Sequence, residues 1–410
     1  MRTHCAVNPA RPLFKAGRYV PDSLQPRIQA KGGTMDDQHF RAVKDRLGGV
    51  SRRDFIKFCS IMAAGMGLPL TAGKDLAAAV TAPQRPPVIW LSGQECTGCT
   101  ESLLRPFHLT VEHLILDLIS LEYNETLNAG AGHQAEEHKE KAIEKYAGKF
   151  ILVIEGAIPT KDNGIYCQIA GQPFMDIVRQ TADKAGAVIA IGSCAAWGGI
   201  AAAEPNPTGA KGAPEFLADK TVLTVPGCPP NAYNFVSTVA YFLTYNKLPA
   251  MDSKGRPKFA YDRLIHENCE RRPHFDAGRF AESFGDQGHQ KGWCLYKLGC
   301  KGPVTYNNCS LMSFNDVDTW PVDTGHPCFG CSEAGVGFHI PQFVQAELTQ
   351  DSLITPAATP ADIEYERGGG ISAGAAALAG AAVGVAAGAT AVAASKLSSS
   401  SDDSGNDKGE

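Results

Sequence analysis

Between about residues 85 and 250, short and fully apolar runs alternate with longer amphipathic segments. The apolar runs have the length of buried strands, and each is followed within two residues by glycine; they occupy residues 88–91, 150–154, 187–191 and 222–225. Strands that are apolar on both faces are typical of a parallel sheet covered by helices. Helices are predicted between them, at 100–121 and 173–185. The pattern therefore predicts an α/β fold with a doubly wound, flavodoxin-like domain over residues 83–250.

The apolar periodicity stops after about residue 250. Residues 261–340, within a second domain predicted over 251–367, are rich in Cys, Gly, Pro and His and contain few long apolar runs. Such a segment has too little apolar surface to fold on an ordinary core, whereas bound metal can stabilise small domains of this kind. We therefore predict an irregular second domain that is held together by metal clusters.

The N-terminal 82 residues carry an export signal. Residues 51–57 match the twin-arginine pattern S-R-R-x-F-x-K, a mildly apolar stretch follows at 58–70, and small residues at 77–82 offer a cleavage site. The alternative is an arginine pair on a short surface helix. Translation can begin at Met1 or at Met35, because the stretch before the signal is long.

A second terminal segment predicts a membrane anchor. Residues 371–394 include no charged side chain, and a segment of this length can span a bilayer as one C-terminal transmembrane helix. Its glycines at spacing four suit close helix packing in lipid. A flexible Ala/Gly linker is the alternative, and a polar tail follows at 395–410. Together with the export signal, this segment predicts a protein anchored on the periplasmic side of the inner membrane.

The thirteen cysteines favour metal over disulfides. Net charge is −5 with 20% charged residues, an ordinary balance that gives no reason to expect nucleic-acid binding. Two CxxC pairs and one HxxC pair suit a shared metal centre, whereas cysteines so close in sequence rarely form a disulfide. The candidate metal ligands fall into three groups along the chain.

The first cysteine group comprises Cys96, Cys99, Cys194 and Cys228. Its members follow three of the four predicted strands. In a doubly wound sheet, the carboxyl ends of neighbouring strands meet at one crevice, where ligands bind. Four thiolates there suit a 4Fe–4S cluster, and zinc is the alternative.

The other two groups lie in the second domain. The second cysteine group adds a histidine to three cysteines: His266, Cys269, Cys294 and Cys300. The third cysteine group has three members: Cys309, Cys328 and Cys331. Three thiolates suit a 3Fe–4S cluster, unless a residue other than cysteine completes a four-iron site. Cys167 lies away from the predicted strand ends and is interpreted as a free cysteine.

The sequence around these residues resembles that of a known family. The motifs are ECTGCTE at 95–101, GSCAAWG at 192–198, PGCPP at 226–230, HxxC at 266–269 and GHPCFGCS at 325–332. Together they are similar to the small subunits of membrane-bound, periplasmic nickel–iron uptake hydrogenases. The resemblance implies two 4Fe–4S clusters and one 3Fe–4S cluster. The first group would be proximal to the nickel–iron centre, the third group medial and the second group distal, with Pro321 in place of a fourth medial cysteine.

The resemblance also implies partners. Hydrogen would be split by a nickel–iron large subunit, so no catalytic residue is expected in this chain. Electrons would leave toward quinone through a membrane acceptor, either a ferredoxin-like subunit with a quinone-reactive membrane protein or a cytochrome b. The predicted anchor has no histidine that could ligate a haem, which favours the ferredoxin-like subunit with its quinone-reactive membrane protein. The family also allows a dimer of heterodimers.

Gly98 and Gly199 stand where oxygen-tolerant members of the family carry extra cysteines, so the resemblance implies the standard, oxygen-sensitive type. Two other functions stay open on sequence alone. One is the quinone-reductase subunit that shares the α/β cluster domain but lacks a second cysteine-rich domain, and the other is an electron carrier without hydrogenase activity. Glu95 and Glu101 flank the first group and are candidates for proton transfer or for helix capping.

Overall fold

The computed structural model describes residues 52–80, 85–106, 119–314 and 319–346. The helices are α1 (Arg52–Gly65), α2 (Ala72–Val80), α3 (Gly98–Leu104), α4 (His133–Lys145), α5 (Phe174–Lys184), α6 (Gly192–Trp197), α7 (Ala213–Phe216), α8 (Ala232–Tyr245), α9 (Lys258–Tyr261), α10 (Arg272–Asp276) and α11 (Gln287–Gln290). The strands are β1 (Pro87–Ser92), β2 (Ser120–Asn124), β3 (Ile151–Glu155), β4 (Ile158–Pro159), β5 (Gln168–Ile169), β6 (Gln172–Pro173), β7 (Ala187–Ile191), β8 (Ala210–Lys211) and β9 (Val222–Val225). Short 3-10 turns occupy Lys161–Gly164, Gly199–Ala202, Ile265–Asn268, Tyr296–Leu298 and Gly302–Val304.

A parallel sheet of five strands forms the centre of the fold, in the order β2-β1-β3-β7-β9. Neighbouring strands are in direct register, with Trp90 opposite Val153 and Val153 opposite Ile189. This strand order is the one found in doubly wound sheets of the flavodoxin type. The prediction of a mixed α/β fold with a parallel sheet is confirmed.

Both faces of the sheet are buried, as the continuous apolar runs predict. Trp90 and Val153 belong to one core cluster together with α8, while Leu91 and Ile154 point into a second cluster with α4 and α5. Helix α5 buries a stripe of residues at helical spacing: Phe174, Ile177, Val178, Thr181 and Ala182. Because successive side chains of a strand point to opposite faces of the sheet, each apolar run contributes to both core clusters.

The predicted helix at 100–121 is wrong at its C-terminal end. Helix α3 ends at Leu104, and Ser120–Asn124 forms the edge strand β2. Only two of its residues, Tyr123 and Asn124, are buried. The Tyr123 hydroxyl donates to Glu136 at 2.7 Å and so ties the edge strand to α4. An edge strand with alternating polar residues lacks the apolar run that identified its neighbours.

Helices α1 and α2, within the predicted export signal, pack against the core. Phe55, Cys59 and Leu76 are buried, and the Phe58 ring lies 6.2 Å from the Tyr233 ring of α8. The predicted anchor at 371–394 and the tail at 395–410 lie outside the described residues, as does the choice between Met1 and Met35. Within the described ranges, no helix is long and apolar enough to cross a bilayer.

The cysteine-rich part forms short helices and turns around a small core. This core contains Ile265, Leu295 and Trp320 together with three candidate ligands, Cys300, Cys309 and Cys328. It packs against the start of α8, where Asn231 caps the helix by accepting from the Tyr233 amide. The Asn231 side-chain amide donates to the carbonyls of Met312 and Ser313 at 3.0 and 3.1 Å. One capping residue thus also joins the sheet to the cysteine-rich part.

Candidate metal centres

The four cysteines of the first group meet at the carboxyl edge of the sheet. Cys96 and Cys99 follow β1, Cys194 lies on α6 directly after β7, and Cys228 follows β9. Burial, then the charges of Glu155 and of the other three cysteines, raises the pKa of Cys99 well above that of an ordinary thiol. The four cysteines thus lie at the same edge of one parallel sheet, where its strand ends converge.

Two glycines leave room for the thiols of this group. Gly192 has a φ of +82°, and a Cβ there would lie 2.3 Å from the Cys99 Sγ. Gly199 has a φ of +53°, and its Cβ would lie 2.5 Å from the Cys194 Sγ. Both the backbone conformation and the close approach therefore require glycine.

Glu155 is a buried carboxylate beside the first group that the sequence analysis did not single out. It is 1% exposed and lies at the end of β3. Its Oε1 accepts from the amides of Cys99 and Thr100 at 3.0 and 3.2 Å. Its Oε2 accepts from the Thr100 hydroxyl at 2.6 Å and from the Trp90 indole at 2.9 Å. Glu155 thereby satisfies the free amides at the start of α3 and fixes the loop that carries Cys99.

The second group surrounds a cavity in the cysteine-rich part. His266, Cys269, Cys294 and Cys300 line it, with Trp320 and Val322. The Nε2 atom of His266 is buried and has no hydrogen-bond partner among the described residues. Burial, assisted by Arg272, lowers the pKa of His266 to about 4, so the imidazole is neutral at neutral pH. A neutral imidazole with a free nitrogen is suited to metal ligation.

The thiols of the second group lie close to one another. Burial is the main cause that raises the pKa of Cys269 to about 12, and the neighbouring Cys300 adds to it. Burial also raises the pKa of Cys294 to about 12, and the neighbouring Cys300 and Cys269 add to this effect. Ionising several of these buried thiols together requires a positive centre between them, which an iron–sulfur core provides.

The third group is buried next to the second. Burial, followed by the charges of Cys300, Cys331 and Cys309, raises the pKa of Cys328 well above the ordinary thiol value. Cys328 is therefore close to its own group and to a member of the second group. Pro321 is exposed, while the flanking Trp320 and Val322 line the cavity of the second group.

Hydrogen bonds join the three groups in a fixed order. The Ser193 hydroxyl donates to the Cys331 carbonyl at 2.5 Å and accepts from the Gly227 amide at 3.1 Å, which links loops of the first and third groups. The Lys301 amide donates to the Cys328 carbonyl at 2.6 Å, which links the second and third groups. Burial lowers the pKa of the Lys301 ammonium, and the thiolates of Cys328 and Cys300 oppose this effect.

The donor sets fit iron–sulfur clusters. Each group offers three or four sulfurs that would repel one another as thiolates, and the second adds an imidazole nitrogen that has no hydrogen-bond partner among the described residues. In the ranges that the structure describes, no three His, Cys, Asp or Glu side chains converge closely enough to hold a single metal ion.

The remaining candidates lie outside these groups. Cys167 is half-buried and packs against the core cluster of α4 and α5. Glu101 on α3 is exposed and pairs at 2.5 Å with Arg105, the C-cap residue of that helix, which is an ordinary surface interaction. Glu95 accepts from the Thr97 hydroxyl at 3.2 Å, and burial followed by the charge of Glu155 raises its pKa.

The chain is similar to known proteins in sequence and in fold. Residues 261–344 match the family model for the C-terminal part of the NiFe/NiFeSe hydrogenase small subunit, and residues 96–242 match that of the NADH ubiquinone oxidoreductase 20 Kd subunit. The chain is 59% identical over 330 residues to the Hydrogenase-2 small chain of Escherichia coli (strain K12), covering 80% of this chain and 87% of that protein. The chain belongs to the nickel–iron hydrogenase small-subunit family.

Further relatives agree. The periplasmic NiFe hydrogenase small subunit of Solidesulfovibrio fructosivorans is 50% identical over 298 residues, covering 73% of this chain and 93% of that protein. A reduced, active nickel–iron–selenium hydrogenase from Desulfomicrobium baculatum superimposes with a TM-score of 0.60 at 37% identity, covering 64% of this chain and 100% of that chain.

These likenesses define the role of the chain. It is the electron-transfer subunit of a hydrogenase, it pairs with a NiFe large subunit, and its family carries iron–sulfur clusters. A quinone-reductase subunit, which is the alternative function, would explain only the match over residues 96–242, because the α/β domain that it shares with hydrogenase small subunits lies there. The match over 261–344 and the relatives that span both parts decide for the hydrogenase family.

Proposed function

We propose that this subunit holds three iron–sulfur clusters in a relay. The first group would hold a proximal 4Fe–4S cluster, the third group a medial 3Fe–4S cluster and the second group a distal 4Fe–4S cluster. When bound, these clusters supply the one-electron redox chemistry that connects hydrogen oxidation in the large subunit to a membrane acceptor. The chain's own residues supply the ligands, set the spacing between them and exclude water.

The spatial order of the groups carries this proposal. The hydroxyl of Ser193, the residue before Cys194, donates to the Cys331 carbonyl at 2.5 Å, so the first and third groups are neighbours. The same hydroxyl accepts from the amide of Gly227, the residue before Cys228, at 3.1 Å. On the other side of the third group, the amide of Lys301, the residue after Cys300 of the second group, donates to the Cys328 carbonyl at 2.6 Å. The third group therefore lies between the other two, as a medial relay site requires.

We further propose export by the twin-arginine route and anchoring on the periplasmic side of the inner membrane. The motif at 51–57 and the uncharged segment at 371–394 support this location. The acceptor would be a ferredoxin-like subunit with a quinone-reactive membrane protein, or a cytochrome b, and two heterodimers would pair. A cysteine at Gly98 or Gly199 would crowd Cys96 or Cys194, which suits the standard, oxygen-sensitive type.

Electron paramagnetic resonance of the anaerobically purified complex tests the cluster assignment. We expect a 3Fe–4S signal that Cys309→Ser abolishes and that Cys294→Ser leaves in place. Cys167→Ser is the matched control, because Cys167 is a half-buried cysteine outside all three groups, and it should retain every signal. Loss of a signal in the Cys167 variant, or zinc in place of iron at the first group, would reject the assignment.

Fractionation of cells tests the location. Replacing Arg52 and Arg53 together by lysine should leave the chain and its large subunit in the cytoplasm. Arg105→Lys, at the C-cap of α3 and outside the signal, is the control and should not alter location. Correct export of the double variant would contradict the twin-arginine route.

A further inference from the structure

Lys301 is a fully buried lysine at the junction of the second and third cysteine groups. Its exposed fraction is 0%, and it follows Cys300 directly in the chain. Its amide donates to the Cys328 carbonyl at 2.6 Å. Lys301 therefore contacts one ligand through the chain and another through a backbone hydrogen bond.

The ammonium of Lys301 is held by carbonyl oxygens. The Nζ atom donates to the Pro341 carbonyl at 3.1 Å and to the Gly299 carbonyl at 3.5 Å. Within the described residues, no carboxylate forms an ion pair with it, in contrast to the buried Lys139, which pairs with Glu136. A buried ammonium is costly unless negative charge lies nearby. The Gly299 carbonyl belongs to the residue before Cys300, so the ammonium lies beside the second group, while the amide of the same lysine binds Cys328 of the third group.

We propose that Lys301 raises the reduction potentials of the second and third iron–sulfur sites by holding a positive charge between them. This inference rests on the proposed function, since it requires clusters at both groups. One electron entering either site adds one negative charge, and no proton or further reactant is needed. A nearby cation stabilises that added charge, and it does so strongly because the interior is poorly screened by water and salt.

The arrangement favours electron flow away from the large subunit. The hydrogen bonds from Ser193 to the Cys331 carbonyl and from the Lys301 amide to the Cys328 carbonyl define a path from the first group through the third to the second. Lys301 lies between the last two sites of this path. A positive charge there makes the medial and distal sites easier to reduce than they would otherwise be, which helps to draw electrons from the proximal site.

Redox titration of the intact heterodimer, followed by electron paramagnetic resonance, tests this role. Lys301→Met removes the charge with little change in volume, Lys301→Gln keeps a donor for the carbonyls without charge, and Lys301→Arg keeps the charge. In the Met and Gln variants, we expect the one-electron equilibria of the medial and distal sites to shift at least tenfold toward the oxidised form, which is about 59 mV. The proximal site should shift less, and the Arg variant should stay near wild type.

Lys139→Met is the matched control, because Lys139 is also buried but lies on α4, paired with Glu136. It should leave all three potentials unchanged. Equal shifts in the Arg and Met variants, or no shift in the Met and Gln variants, would overturn the proposal. If the Lys301→Met heterodimer does not assemble, the reduction potentials of the Lys301→Gln and Lys301→Arg variants are compared instead, and equal potentials would overturn the proposal. Absence of cluster signals in the wild type would instead refute the proposed function itself.

Discussion

The carboxylate of Glu155 accepts a hydrogen bond from the Cys99 amide at 3.0 Å, so that an acidic side chain of one strand fixes a metal ligand that follows another. The same carboxylate also binds the indole of Trp90 and both polar groups of Thr100. Because all these donors are buried around Glu155, the ligand loop depends on this single side chain.

Removal of Glu155 should therefore destabilise the protein. Glu155→Ala leaves several buried donors without an acceptor, and we expect a loss of at least about 3 kcal/mol in the free energy of unfolding, together with reduced iron at the first group. Glu155→Gln keeps one acceptor oxygen and should cost about 1–2 kcal/mol. Urea denaturation and iron analysis measure both effects. An Ala variant as stable as wild type would contradict this account of the loop.

Ser193 joins the loops of the first and third groups, and Ser193→Ala should weaken that connection. Loss of its two hydrogen bonds leaves the Gly227 amide and the Cys331 carbonyl unpaired, at a cost of about 1–3 kcal/mol. Ser92→Ala is a suitable control, because the Ser92 hydroxyl is buried and has no partner among the described residues. Thermal unfolding should separate the two variants. Equal midpoints would show that the Ser193 bridge contributes nothing.

Gly192→Ala should reduce iron loading at the first group specifically. The new Cβ would lie 2.3 Å from the Cys99 Sγ, at a backbone φ of +82°. Gly285→Ala imposes similar backbone strain, since Gly285 has a φ of +81° but no atom within 4 Å of its Cβ position. We expect both variants to lose some stability and the Gly192 variant alone to lose iron. Similar iron content in the two variants would mean that the close approach to Cys99 is unimportant.

Glu125 gives a prediction about pH. Burial raises the pKa of Glu125 to about 7, from 4.5 for an ordinary glutamate. The folded state therefore binds the proton of the Glu125 carboxyl more tightly than the unfolded state does. The stabilisation that this protonated carboxyl provides is fully present below pH 4.5 and is lost as the pH rises through 7. Glu125→Gln keeps an oxygen that can accept from the Ser92 amide, a bond of 3.0 Å in the wild type.

The Glu125→Gln variant should accordingly exceed wild type in stability by about 1–3 kcal/mol at pH 8 and match it near pH 4.5. Urea denaturation at the two pH values measures the difference. Glu144→Gln, at an exposed position of α4, should show no such pH-dependent gain. A gain for Glu125→Gln that is equal at both pH values would exclude titration of this carboxyl as its cause.

The central strands were predictable because they are buried on both faces, so that their apolar runs at 150–154 and 187–191 leave little ambiguity. The edge strand β2 was missed because it alternates polar and apolar residues after a segment with helical character. The grouping of Cys96, Cys194 and Cys228 followed from topology alone, since parallel strand ends converge.

Other parts of the site could not be predicted from sequence. Glu155 follows an apolar strand and precedes glycine, which is also typical of an ordinary turn, although its place at the same sheet edge as the cysteines was a usable signal. Lys301 lies between Cys300 and a glycine in a polar loop, and nothing in that pattern indicates burial. Its burial depends on distant residues, among them Pro341, whose carbonyl it binds.

Hydrogen-dependent dye reduction tests the central claim most directly. The complex that co-purifies with this chain from detergent-solubilised membranes would be assayed without oxygen, with nickel and iron measured in the same sample. We expect dye reduction that depends on hydrogen, together with a nickel-containing partner of large-subunit size. An intact, iron-loaded chain with no hydrogen activity and no nickel partner would contradict the account and indicate an electron carrier of another kind.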